Sequence, residues 1–250
     1  MWPRELALAL AIVAVPVAIG AGLVAQPLSP TTRPPPSPAG PGTESILSQA
    51  APTRAPQQTS SPSPAPVESA RPTGKLIRVA GVAPASGPGP VRTFSVEVEQ
   101  GLPIDRQSFA EFVQGVMYDP RGWGARGTLA FRRTDSPSAS FTVTLSSPAT
   151  TDRLCAPLVT AGRYSCHQDG RAVLNYLRWT SGAPPYKGDL VGYRTYMINH
   201  EVGHALGHGA HNFCTTIGAK APLMMQQTKG VDACKPNPWP LPFEREVVAP

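Results

Sequence analysis

The 250-residue sequence has few charged and few aromatic residues, at 15% and 7% of the chain. So little charge excludes a disordered polyelectrolyte and a coiled coil. Only one long stretch lacks charge, which excludes a polytopic membrane protein. The net charge is +6, but the longest run of basic residues is Arg132-Arg133, with no aromatic residues interleaved among them. This pattern does not indicate nucleic-acid binding, and no nucleic-acid partner is expected.

The uncharged stretch covers residues 6–25 and is long enough to span a bilayer. It is typical of either a signal peptide or an N-terminal membrane anchor, which would cover residues 1–25. Cleavage after Ala25 would place Leu23 where a small residue is preferred, which favours the anchor. No Cys follows the stretch, so a lipoprotein anchor is excluded. Either alternative predicts a cell-envelope, extracytoplasmic location, with the chain membrane-anchored or secreted.

Three further segments follow. Residues 26–74 are rich in Pro, Ser and Thr and nearly free of large apolar side chains. Such a stretch buries too little apolar surface to offset its ordering entropy, so it is predicted to be a disordered linker. Residues 75–243 form the predicted folded domain, and residues 244–250 a short tail.

Apolar periodicity in the domain predicts an α+β fold. Phe94, Val96 and Val98 alternate as in a strand, whereas the stripe Phe109, Phe112, Val113, Val116 and Met117 has helical spacing after Asp105. The remaining strands are predicted at Lys75–Val82, Gly127–Arg133, Ser140–Ser146 and Arg171–Trp179. A short helix is predicted at Thr150–Leu154, a loop at Gly182–Gly188 and a second long helix from about Gly192 to Leu206.

Four Cys residues lie in the domain, and an exported chain meets oxidising conditions, so two disulfides are expected. Three pairings are possible, and loop-closure entropy favours the short ones, Cys155–Cys166 and Cys214–Cys234. The rival interpretation, Cys as metal ligands, lacks any CxxC spacing.

Residues 200–204 read HEVGH, an HExxH motif. On a helix, His200 and His204 lie one turn apart and can reach one ion, while Glu201 is placed to act on a water. Zinc needs a third protein ligand and an open fourth position. His211 is favoured as that ligand, because Gly207 and Gly209 can end the helix and turn the chain back; His208 is the alternative. His167, beside Cys166, is predicted to be structural.

The motif resembles that of the metzincin clan of zinc metallopeptidases, HExxHxxGxxH followed by a Met-turn. His200, Glu201, His204 and Gly207 match by position, but Ala210 occupies the place of the third His, and His211 follows one residue late. The resemblance implies a mixed sheet, an active-site helix and a Met-turn, with Met224 as the turn residue and Met225 as the alternate. It also implies an edge strand above the cleft that holds the peptide, for which Arg171–Trp179 is the candidate.

The sequence also resembles a family of envelope proteins of high-GC Gram-positive bacteria. Those carry a segment like NHEVGHALGHxH before a Cys, then APxMxQQT-like and CxPNPWP segments, matched here by residues 199–208, 221–228 and 234–240. The family's ligand His precedes its Cys by three residues, as His211 precedes Cys214, so one residue is inserted in the glycine turn. The resemblance covers about residues 75–240.

These observations predict an exported zinc-dependent peptidase with one Zn²⁺ ion. Zn²⁺ lowers the pKa of its bound water, so that the water can act as a nucleophile at neutral pH. Glu201 is expected to be the general base that takes the proton of this water and later donates it to the leaving amine. The oxyanion donor is open among Tyr193, Tyr196 and Arg194. A protein or peptide substrate is expected. The alternatives are an envelope-binding or scaffold domain with structural zinc, and an amidase or carboxypeptidase acting on cell-wall peptides.

Overall fold

A computed structural model describes residues 71–246 of the chain. Most of the predicted linker, the predicted signal or anchor and residues 247–250 of the tail lie outside the described residues. Within them the fold is α+β with a mixed sheet, as predicted. Contacts extend past the predicted domain boundaries, since Gly74 N–H donates to the Glu99 carboxylate and Glu244 is buried. Among residues 71–246, no helix is both long enough and apolar enough to cross a membrane.

Six strands form one sheet in the order β1-β2-β4-β6-β5, and β3 also pairs with β2. The pairs β2–β3, β2–β4 and β4–β6 are parallel, whereas β1–β2 and β5–β6 are antiparallel. The strands are β1 (Leu76–Arg78), β2 (Val91–Glu99), β3 (Ala130–Arg133), β4 (Phe141–Ser146), β5 (Cys166–Gln168) and β6 (Arg171–Asn175).

The helices are α1 (Arg106–Tyr118), α2 (Pro148–Cys155), α3 (Tyr176–Ser181), α4 (Leu190–Ala205) and α5 (Pro242–Arg245). Short 3₁₀ turns cover Ala125–Gly127 and Pro184–Tyr186. The Asp105 side chain caps α1 by accepting from Ser108 N–H at 2.7 Å, and Ser147 caps α2. Polar N-caps of this kind satisfy backbone donors that have no partner within the helix.

The main core lies between the sheet and the pair α1–α4. Phe94, Val96 and Val98 of β2 are buried in one cluster with the apolar stripe of α1 and with Met197 and Ile198 of α4. Side chains alternate along a strand, so Glu99 points to the opposite face of the sheet. There it accepts from Ser147 N–H and Thr150 Oγ1 at the start of α2. Helices therefore cover both faces, and α4 lies against β6 and β5.

Two sequence predictions about strands were wrong. The strand expected over Arg171–Trp179 stops at Asn175, whose side chain accepts from Leu177 N–H at 2.9 Å and caps α3. The strand expected over Lys75–Val82 is limited to Leu76–Arg78. The pattern also did not predict β5 or α5, because each is too short to show a period.

Both disulfides form in the predicted pairing. Cys155 at the end of α2 is bonded to Cys166 at the start of β5, and Cys214 is bonded to Cys234. The first bond closes the loop between α2 and β5. The second joins the segment after His211 to the segment after Met224.

Candidate metal centre

Helix α4 carries the HExxH residues. It begins after Asp189, whose side chain accepts from Gly192 N–H at 2.8 Å. It ends at Ala205, and Gly207 follows with φ of +106°. This left-handed conformation favours glycine and turns the chain away from the helix axis. His200 and His204 lie one turn apart inside the helix, and His211 lies beyond the turn.

The structure brings His200, His204 and His211 together. One ring nitrogen of each lies within 4.8 Å of the others, and the ring centroids are 5.0–5.4 Å apart. Such a group can hold a metal ion. His208 is not part of the group, so the chain places His211, and not His208, beside the two helix histidines.

Backbone carbonyls orient the two helix histidines. His200 Nδ1 lies 2.9 Å from the carbonyl oxygen of Leu223, and His204 Nδ1 is hydrogen bonded to the carbonyl of His208. A carbonyl oxygen only accepts, so in both rings Nδ1 carries the proton. The Nε2 lone pair of each ring is therefore free for a metal, and the carbonyl contact fixes the ring orientation, as is common around bound metals.

The electrostatics of the histidines suit metal binding. Burial, together with the neighbouring His204, lowers the pKa of His200 to about 3. Burial also lowers the pKa of His204 and of His211. All three rings are thus neutral at pH 7, the form that donates a lone pair to a cation.

His208 has a different role from the one considered for it. Its ring packs on Trp123 at a centroid distance of 4.8 Å and is buried, and Nε2 has no hydrogen-bond partner. Its contribution to the site is the backbone carbonyl that accepts from His204. Since that contact belongs to the main chain, the histidine side chain is not needed for it.

Glu201 lines the same cavity as the histidines. The cavity has a volume of about 430 Å³. Glu201 is buried, and burial raises the pKa of its carboxyl group to about 8. A carboxyl group in so apolar a place takes up a proton readily, which is the property required of a general base. A cation held by the histidines would favour the ionised form.

The loop closed by the Cys155–Cys166 disulfide and strand β5 also line the cavity. Leu158 and Val159 of this loop line the cavity and are 51% and 89% exposed. His167 of β5 also lines the cavity, which the prediction of a structural role did not foresee. The sequence around His167 did not predict a strand, because β5 is only three residues long and too short to show alternation.

The edge strand beside the cavity is β5, and the predicted Arg171–Trp179 is not an edge strand. β6 pairs with β4 on one side and with β5 on the other, so it has no free edge. The turn Asp169-Gly170 has positive φ at both residues, as in a two-residue hairpin. In such a hairpin Gln168 and Arg171 exchange hydrogen bonds, and the backbone N–H and C=O of His167 point away from β6.

Met224 packs under the helix. It is fully buried, and a Cβ added to Gly203 would lie 2.4 Å from Met224 Sδ. Met225 belongs instead to a separate cluster with Ala221 and Cys234. Met224 is thus the methionine that contacts α4 between His200 and His204.

The three residues considered as oxyanion donors all have other partners. Tyr193 OH is bonded to Thr228, and Tyr196 OH donates to the Met225 carbonyl. Arg194 Nε donates to the Trp179 carbonyl. Burial raises the pKa of Tyr193 to about 12 and that of Tyr196 well above its usual value. These contacts fit structural roles for all three side chains.

The family model described as "Protein of unknown function (DUF3152)" matches residues 64–242. The chain belongs to this family. The match includes the three histidines, Glu201 and both disulfides. No curated protein and no solved structure matches the chain.

Proposed function

We propose that the chain is a zinc-dependent peptidase of metzincin type that hydrolyses peptide bonds outside the cytoplasm. The observation that carries the proposal is the group of three neutral imidazoles on the wall of an open cavity that Glu201 also lines. Three nitrogen donors suit Zn²⁺ and leave one position of a tetrahedral ion open, as in catalytic zinc sites. The two disulfides support an oxidising, extracytoplasmic location.

His200, His204 and His211 would hold the ion. Zn²⁺ when bound supplies a Lewis acid that polarises a carbonyl and makes water more acidic. Glu201 accepts the proton of the attacking water and then donates it to the leaving amine. The burial of Glu201 favours this second step, because a buried carboxyl group is stabilised in its protonated form.

The position of β5 at the edge of the sheet favours an extended peptide as the substrate. β5 lies at the end of the sheet, and His167 lines the cavity. An extended peptide can add to such an edge through main-chain hydrogen bonds, with the N–H and C=O of His167 as partners. Leu158 and Val159 then offer apolar contacts to a substrate side chain.

A structural-zinc scaffold is less well supported. It would require a closed site with His208 as a fourth ligand, and His208 instead packs on Trp123. Carboxypeptidase action on a wall peptide is favoured by one feature. Lys229 lines the cavity, and its ammonium group lies 5.1 Å from the centre of the Tyr164 ring. A cation in this position can pair with a substrate carboxylate.

The test compares wild type, Glu201→Ala and Glu201→Gln for metal content and for cleavage of an unfolded protein. Both variants are expected to retain zinc and to lose cleavage by about 10²–10⁴-fold, the usual contribution of a general base. Glu111→Gln, an exposed change on α1, is the matched control. Equal cleavage by wild type and the Glu201 variants refutes the mechanism. Cleavage only of peptides with a free C-terminus selects the carboxypeptidase alternative.

A further inference from the structure

Glu244 is the only acidic residue of α5 and has a side chain that is almost fully buried, at 1% exposure. Its carboxylate accepts four hydrogen bonds, two at each oxygen. Oε1 accepts from Met224 N–H at 2.7 Å and from Asn212 Nδ2 at 3.2 Å. Oε2 accepts from Leu223 N–H at 3.0 Å and from Leu241 N–H at 2.7 Å. In the sequence Glu244 is the first residue of the predicted tail, residues 244–250.

Three of the four donors belong to the two segments that complete the histidine group, and the fourth, Leu241, begins α5. Leu223 supplies the carbonyl that orients His200, and Met224 packs under α4. Asn212 follows His211 directly, and its own N–H donates to the Met224 carbonyl at 3.2 Å. One carboxylate thus ties the turn beneath the helix to the segment that carries the third histidine.

The chemistry of the contacts requires a carboxylate. An ionised carboxylate only accepts, and its two oxygens can take four donors. An amide of the same shape would direct its NH₂ group at two of those donors. Within residues 71–246 no Lys or Arg nitrogen lies within 4 Å of the Glu244 carboxylate, so the four hydrogen bonds are its closest polar contacts. Three of the four donors belong to the segments that complete the histidine group.

We propose that Glu244 is a positioning residue for the three-histidine site, holding Leu223, Met224 and Asn212 so that His200 and His211 face one ion. This inference rests on the proposed function, since it assumes that the histidines bind zinc. Glu244 itself contacts neither the ion nor the substrate. Its effect reaches the site through the Leu223 carbonyl and through the chain at residues 211–212.

The experiment measures the zinc affinity of the full 250-residue chain in mild detergent, by competition with a chromophoric chelator. Glu244→Gln is expected to bind zinc about 10-fold more weakly than wild type, within the range found for outer contacts of metal ligands. Co²⁺ in place of Zn²⁺ is expected to give a different visible spectrum in this variant, because ligand geometry sets that spectrum. A merely destabilising change would alter neither measurement in the folded protein.

Two matched controls separate positioning from general damage. Glu246→Gln makes the same change at an exposed position next to α5 and is expected to leave zinc affinity unchanged. Glu99→Gln alters a carboxylate that is equally buried and hydrogen bonded, but bonded to Gly74, Ser147 and Thr150. It is expected to lower the melting temperature and to keep wild-type zinc affinity.

Asn212→Ala decides the matter if Glu244→Gln does not fold. The Asn212 side chain is partly exposed, and its removal takes away one of the four hydrogen bonds that Glu244 accepts. The variant is expected to bind zinc a few-fold more weakly than wild type. If wild type binds zinc and every variant that folds binds it with the same affinity, the positioning role is refuted and the metal site stands. Failure of wild type to bind zinc refutes the metal site, and the positioning role with it.

Discussion

Replacing Gly203 with alanine adds one methyl group where α4 approaches two side chains most closely. The new Cβ would lie 2.4 Å from Met224 Sδ and 2.7 Å from Trp123 Cζ2, both well inside van der Waals contact. Met224 is flexible and can move its sulfur atom. The indole of Trp123 is fixed, because its Nε1 donates to the Asn199 carbonyl at 2.9 Å.

Two opposing effects set the magnitude. Alanine is favoured over glycine inside a helix by about 1 kcal/mol. Overpacking a buried contact costs about 1–3 kcal/mol, and weakening the Trp123 hydrogen bond adds about 1 kcal/mol. The net expectation is a decrease of about 1–3 kcal/mol in the free energy of unfolding. For a domain of this size that lowers the melting temperature by about 2–12 °C.

The matched control is Gly115→Ala. Gly115 lies inside α1, is exposed, and has no atom within 4 Å of the position of an added Cβ. The same substitution there is expected to raise the melting temperature by about 2–4 °C, since only the helix propensity changes. The assay is thermal unfolding of both variants beside wild type in a metal-free buffer. A melting temperature for Gly203→Ala at or above that of wild type would refute the packing argument.

Two further predictions concern the histidines and acid stability. His211→Ala is expected to weaken zinc binding by more than the roughly 10–100-fold typical of an outer contact. His208→Ala is expected to keep nearly wild-type zinc affinity, because the carbonyl that orients His204 remains. Chelator competition measures both, and the reverse order would show that His208 is the ligand. Burial of Glu99 opposes its ionisation, but the hydrogen bonds from Ser147, Gly74 and Thr150 outweigh it and lower the pKa. The stability that Glu99 contributes is therefore present above its unfolded-state pKa and is lost as pH falls through the lower folded-state pKa. Thermal unfolding between pH 7 and pH 3 should show a smaller loss of stability in Glu99→Gln than in wild type or in the exposed variant Glu111→Gln, and parallel curves would count against this assignment.

The sequence predicted the parts of the fold whose signals are local and long. Apolar residues alternate from Phe94 to Val98 and have helical spacing from Phe109 to Met117, and the structure confirms a strand and a helix there. The short disulfide pairing followed from loop closure alone and is also confirmed. The HExxH spacing placed His200 and His204 on one helix face, and the glycines after it indicated the turn that carries His211.

The remaining features depend on contacts between distant segments. The apolar run after Arg171 continues through Trp179, and only the cap formed by Asn175 shows that it changes from strand to helix. β5 is defined by its pairing with β6 and not by its own composition. Glu244 looked like part of a charged tail, since its partners lie 3 to 32 residues away in sequence and come together only in the fold.

The two disulfides make the shape of the cavity depend on oxidation of the chain, whereas the histidines need no oxidation. Cys155–Cys166 closes the loop whose Leu158 and Val159 form one side of the cavity, and Cys214–Cys234 cross-links the chain beyond His211. A newly synthesised polypeptide carries these four sulfurs as thiols, and they pair only where an oxidant is present. Before the thiols pair, neither the loop that carries Leu158 and Val159 nor the segment after His211 is cross-linked, so we expect the cleft to take its final shape only after oxidation.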